Sequence, residues 1–106
     1  MTVMTKSEQT ERSAALLAFA ADRVERGWCQ GMYMSPDLKK TCMVGAILDE
    51  QMKRPPEPKS LRTEYERMVY AVRRETGAYH LTEWNDTPGR TVEEVATALR
   101  AAIRWL

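Results

Sequence analysis

The chain's 106 residues fit one domain with one core, and 43% apolar with 29% charged residues exclude a disordered tail. Sixteen basic residues against fifteen acidic ones leave a formal charge of +1, without the basic excess that marks a duplex-binding domain. Two cysteines are too few for a disulfide scaffold, and no stretch approaches the roughly 20 apolar residues of a membrane-spanning helix.

Met1 to Glu11 is polar, unlike the apolar segment of a secretory signal, so a cytoplasmic location with reduced thiols is expected. The first helix is expected over residues 7–26, after a flexible start of about six residues. Thr5 and Glu8 have capping-box spacing, with Ser7 as a competing cap. Leu17, Ala20, Val24 and Trp28 recur at helical steps, widened by Leu16 and Phe19. Asp22 and Arg26 are spaced for an i,i+4 ion pair, worth about 0.2–0.5 kcal/mol. Gly27 is the expected stop, in the left-handed conformation that glycine tolerates.

Residues 28–40 change character. Gly31, Pro36 and Asp37 are turn formers, and Met32, Tyr33 and Met34 form a short apolar run, which fits a β-ribbon or an irregular packed loop. A second helix is expected over 41–53, capped by Thr41, with Val44, Ile47, Leu48 and Met52 inward. Gly45-Ala46 within it costs helix stability and points to close approach of another backbone. Arg54-Pro55-Pro56-Glu57-Pro58 is a stiff, non-helical connector. Ser60 then opens a helix over 60–76 with a stripe of Leu61, Tyr65, Met68, Val69 and Val72. After a loop over 80–90, opened by one helical turn, the capping box Thr91/Glu94 starts a last helix over 91–104. The expected fold is all-α: a compact orthogonal bundle of about four helices in a single domain, 1–106, with connectors too long for tight helical hairpins.

Three segments stand in order: Gly27-Trp28-Cys29-Gln30-Gly31, Cys42-Met43-Val44-Gly45-Ala46-Ile47, and Trp84-Asn85-Asp86-Thr87-Pro88-Gly89-Arg90-Thr91. By these the chain resembles an uncharacterised family of small actinobacterial and actinobacteriophage proteins, a domain of unknown function, over about Leu16 to Ile103. The resemblance implies a phage-type accessory protein and supplies no reaction, cofactor or catalytic residue.

Cys29, His80 and Asn85 (or Asp86) are the residue types of a cysteine nucleophile, its base and an orienting group. Against this, Cys29 follows a helix C-terminus, where the dipole raises a thiol's pKa. Cys29, Cys42, His80 and Asp86 are also four conceivable metal ligands, but they lack the close pairs of structural zinc sites, so no metal and no cofactor is expected.

Trp84-Asn85-Asp86 reads either as a recognition loop or as scaffold. In the scaffold reading Trp84 fills the core, Asn85 or Asp86 closes an Asx-turn, and Arg90 pairs with Asp86. Basic residues at Lys39-Lys40, Lys53-Arg54 with Lys59 and Arg62, and Arg73-Arg74 are interrupted by acids and read as solvated faces, which makes nucleic acid a minor reading. Met32, Tyr33, Met34 and Trp105 are residue types over-represented at adaptable interfaces. With Trp84, Asn85 and Asp86 they are the interaction candidates. The expectation is a non-enzymatic domain that binds a host protein or a second copy of itself. The alternative is a small cysteine-dependent hydrolase using Cys29, His80 and Asn85.

Overall fold

The computed structural model describes residues 4–56 and 60–106. Residues 1–3 and Glu57 to Lys59, part of the proline connector, lie outside the described residues. Five α-helices are present among them: α1 (Lys6–Arg26), α2 (Met43–Lys53), α3 (Leu61–Thr76), α4 (Leu81–Asn85) and α5 (Val92–Ala101), the last tightening into a 3-10 segment, Ala102–Trp105. The fold is the expected all-α bundle. Its radius of gyration of 13.3 Å is what a packed chain of about 100 residues has.

The helix starts follow local chemistry. Thr5 caps α1, so the helix begins one residue before the expected point. Its hydroxyl accepts from Glu8 N, and Glu8 Oε1 accepts from Thr5 N, both at 3.1 Å. Thr91 and Glu94 close the same reciprocal pair at α5, at 3.2 and 3.0 Å. At α2 the cap is Cys42, not Thr41: its thiol sulfur accepts from Gly45 N at 3.3 Å. Thr41 is instead held in backbone pairing with both neighbouring segments. Ser60 has helical backbone angles and makes no side-chain cap bond.

α1 packs along α5 and α2 and forms the spine of the bundle. Leu16, Leu17, Ala20, Ala21 and Val24 of α1 are buried with Met43, Ala46 and Ile47 of α2, Met68 and Val72 of α3, and Val95 and Leu99 of α5. This packing redirects the expected pair on α1. Asp22 binds Arg100 of α5 at 2.9 Å, because α5 lies alongside, and not Arg26.

The inward face of α2 differs from the expected one. Leu48 and Met52 are exposed, whereas Glu50 and Gln51 are buried. The reason is a polar network between helices. Glu64 of α3, itself buried, accepts from Arg12 Nε of α1 at 2.6 Å and from Gln51 Nε2 at 2.9 Å. Gln51 Nε2 also donates to Leu61 O at 2.9 Å. Glu50 is met by Lys53 and Arg54, each at 3.0 Å. Buried charges persist when paired and hydrogen-bonded in this way.

Gly27 ends α1 in extended backbone, φ −177°, and not in the left-handed region. A Cβ there would collide with the Lys39 carbonyl oxygen, so the glycine serves close approach of two segments. Gly45 does what its place in a helix implies, since a Cβ would collide with the Tyr33 carbonyl oxygen. Residues 28–41 form an irregular packed loop with two isolated bridges at Thr41, to Trp28 and Met34, in place of a ribbon.

Candidate functional site

The loop 28–41 is pinned at both ends by Thr41 and its neighbour. Thr41 N donates to Gly27 O at 3.0 Å, Cys29 N to Thr41 O at 3.1 Å, and Cys42 N to Tyr33 O at 3.0 Å. Each bond fixes a backbone group that a loop would otherwise leave to water.

α4 supplies the brace. Asn85, 0% exposed, uses both ends of its amide. Its Oδ1 accepts from Trp28 Nε1 at 2.7 Å and from Met43 N, at the start of α2, at 3.0 Å. Its Nδ2 donates to Cys29 O at 3.1 Å and Asp86 Oδ1 at 2.9 Å. Asp86 Oδ1 also accepts from Gly31 N at 3.0 Å, and Gln30 Nε2 donates to Asn85 O at 3.0 Å and Thr87 O at 3.2 Å. One buried amide thereby joins the end of α1, the loop, the start of α2 and α4. The expected Asx-turn is replaced by these long-range bonds.

Arg90 does not pair with Asp86. Its guanidinium stacks over the Trp84 ring at 3.8 Å, its Nε donates to Trp84 O at 3.0 Å, and it pairs with Glu94 at 2.9 Å. Trp84 is half-buried against the core. In front of the brace lies a pocket of about 300 Å³ lined by Gly31, Met32, Tyr33, Cys42, Thr82 and Asp86. Met32 is 48% exposed and Tyr33 59%, while Met34 is half-buried at its bridge to Thr41.

The three residues of the hydrolase alternative are not wired as a nucleophile, base and orienter. The Cys29 thiol is half-buried and donates to Met32 O at 3.7 Å, and burial, with Cys42 and Asp86 nearby, raises its pKa. Burial likewise raises the Cys42 thiol. Both therefore stand as thiols at neutral pH, the unreactive form. His80 is exposed, edge-on to Tyr79 with ring centroids 5.0 Å apart, and lines an adjoining pocket with Arg73 and Tyr79 that shares Tyr33 and Thr82 with the first but not Cys42 or Asp86. Asn85 has both amide ends committed to other groups. Among the described residues, no three His, Cys, Asp or Glu side chains come together as metal ligands.

Trp105 lies apart from the loop, 36% exposed, between the guanidinium groups of Arg74 at 4.1 Å and Arg104 at 5.2 Å, with its Nε1 donating to Glu75 at 3.0 Å. Of the basic residues, Lys53 and Arg54 bind Asp49 and Glu50, Arg62 binds Glu66, and Arg73 donates to Tyr79 O. Lys59 lies outside the described residues. Gln30 and Thr82 belong to the site without having been singled out in the sequence. Gln30, between Cys29 and Gly31 of the first motif, was the available signal.

The sequence pattern over residues 8–104 decides the relationship. The chain belongs to a family of unknown function (DUF6197). The matched stretch contains every residue of the Asn85 brace and of the pocket in front of it. No curated protein and no solved structure matches the chain. Among the described residues, no helix of this DUF6197 chain is long and apolar enough to cross a membrane.

Proposed function

We propose that this DUF6197 chain is a non-enzymatic protein-interaction domain whose contact surface is the braced loop 28–41. The observation that carries this reading is a contrast within the loop. Its backbone is tied down by Thr41, Cys42, Asn85 and Asp86, yet it presents Met32, Tyr33 and Leu38 to solvent, Leu38 being 64% exposed. Leu38 is moreover held at φ 65°, where a branched aliphatic residue is strained. Preorganised apolar side chains on a fixed loop lower the ordering cost of binding. Trp84, Asn85 and Asp86 act as the scaffold of this surface, with Asp86 also at its edge. Trp105 is a second, separate candidate contact.

The motif resemblance to small actinobacterial and actinobacteriophage proteins favours an accessory protein working in the host cytoplasm on a host protein. A second copy of the chain is the other candidate partner. The cysteine-hydrolase reading draws no support from the site, because both thiols are held protonated and Asn85 is fully engaged elsewhere.

The test is a comparison of the wild-type chain with the double variant Met32→Ser, Tyr33→Ser. Each is immobilised and exposed to an actinobacterial lysate, and each is sedimented alone across a concentration series. The reading expects a protein retained by, or a self-association of, the wild type that the variant loses at unchanged Tm. Identical retention and sedimentation of the two would refute it.

A further inference from the structure

We infer that the pocket beside Tyr33 takes a single cationic side chain, a lysine or arginine, from the partner protein. The inference rests on the interaction reading above and names what that surface recognises. A pocket of about 300 Å³ lies at the small end of ligand clefts, enough for one side-chain-sized group. Its wall carries one charge, Asp86. Oδ1 of that carboxylate is bound by Asn85 Nδ2 and Gly31 N, which fixes its position, while Oδ2 takes no hydrogen bond among the described residues.

The cation nearest to Asp86 in sequence is directed elsewhere. Arg90, four residues on, is committed to Trp84 and Glu94. Lys40, which like Asp86 acts on the Cys29 thiol, is in no ion pair with Asp86 among the described residues. Among the described residues Asp86 has no ion pair, a condition it shares with Glu8, Glu11, Asp37, Glu83 and Glu93, but it is the acid that lines this pocket. The aromatic rings give a contrast of their own. Exposed Phe19, Tyr79 and Trp105 each carry an arginine of the chain on the ring face, at 4.1, 4.2 and 4.1 Å. Tyr33 carries none among the described residues, although it is 59% exposed and shares its pocket with a carboxylate. Tyr70 also lacks one, in a pocket with Arg67 and Arg73, and Tyr33 itself lines a second, adjoining pocket with Arg73 and His80, where Arg73 is held on the Tyr79 ring and by Tyr79 O.

A lysine or arginine stem would lie against Met32 and the Tyr33 ring, with its head at Asp86 Oδ2 and the Thr82 hydroxyl beside it. The guanidinium or ammonium meets a fixed carboxylate and a ring face together, the two groups that hold a cation best without a second charge.

The probes are N-acetyl-lysine methylamide and its uncharged match, N-acetyl-norleucine methylamide, titrated into the wild-type chain and followed by amide NMR shifts. The inference expects saturable shifts at Gly31, Met32, Thr82 and Asp86 with the lysine probe, and affinity about five-fold or more weaker for norleucine. Salt at about 0.5 M should weaken only the lysine probe. Asp86→Asn keeps an acceptor for Gly31 N while removing the charge, and should erase the preference at unchanged Tm.

Equal binding of the two probes, or no saturable shift at these four amides, overturns the inference using the wild type alone. Retention of the preference in Asp86→Asn overturns the role of that carboxylate. Equal probe binding leaves the apolar surface of the interaction reading intact. Normal lysine-probe binding combined with no partner or self-association lost in the Met32/Tyr33 variant would sink that reading instead.

Discussion

The Trp28 indole Nε1 donates to Asn85 Oδ1 at 2.7 Å, across 57 positions of sequence, and the same oxygen receives the first amide of α2. This shared acceptor sets the angle at which the loop leaves α1 and enters α2. The surface that the loop presents depends on it.

Asn85→Ala removes the acceptor from two donors and the donor from Cys29 O. A buried group left unpaired, here Met43 N, costs about 1–3 kcal/mol, and the part-buried Trp28 Nε1 and Cys29 O cost less because water can reach them, so a loss of about 2–5 kcal/mol is expected in urea unfolding. An unchanged midpoint would contradict the brace.

Gly45→Ala sets two effects against each other. Alanine gains about 1 kcal/mol of helix propensity over glycine. Its Cβ, however, would meet the Tyr33 carbonyl oxygen, a backbone atom held by Cys42 N. Separating α2 from the loop costs more than the propensity returns, and net destabilisation of about 1–3 kcal/mol is expected. A more stable variant would show that the contact yields freely.

The balance of legible and hidden features follows the range of the interactions. Capping boxes are local, so Thr5/Glu8 and Thr91/Glu94 were readable from spacing alone, and Gly45 inside a helix signalled a backbone contact. The inward face of α2 was misjudged because Gln51 and Glu64 are polar and become buried only by satisfying each other between helices. Asn85 read as a turn former, since nothing near it in sequence announces Trp28 or Met43 as partners. The apolar run Met32-Tyr33-Met34 was visible, but which of its side chains stay outside is decided by the bridge at Thr41. The pocket and the uncompensated Asp86 were not legible, because the choice of Arg90 between Asp86 and Trp84 is made by tertiary geometry.

The thiols give a pH prediction. Burial raises both above the ordinary cysteine range. A thiol whose folded pKa lies above its unfolded one contributes stability below the unfolded value and loses it as pH rises through the folded value. Stability should thus fall on the alkaline side of the thiol range, and Cys29→Ala, Cys42→Ala together should flatten that fall. Iodoacetamide should label the native chain more slowly than a free cysteine at the same pH. Labelling at or above the free rate would contradict the assignment and revive the nucleophile reading.

Leu38→Gly relieves a positive φ at an exposed site. The left-handed conformation costs an ordinary residue about 1–2 kcal/mol, and glycine loses about 0.5–1 kcal/mol through chain entropy. A small net gain in stability is expected from thermal unfolding, with weakened partner binding. Increased stability with unchanged binding would remove Leu38 from the contact surface.

The most direct measurement places a p-benzoylphenylalanine photocrosslinker at position 33 and, as a control, at position 70, where Tyr70 is equally exposed at 60% but lies on α3, outside the braced loop. Irradiation in cells producing the chain should give one dominant covalent adduct, to a partner protein or a second copy of the chain, from position 33 and none of that adduct from position 70. Equal adducts from the two positions, or none from position 33, would contradict the claim that the braced loop is the interaction surface.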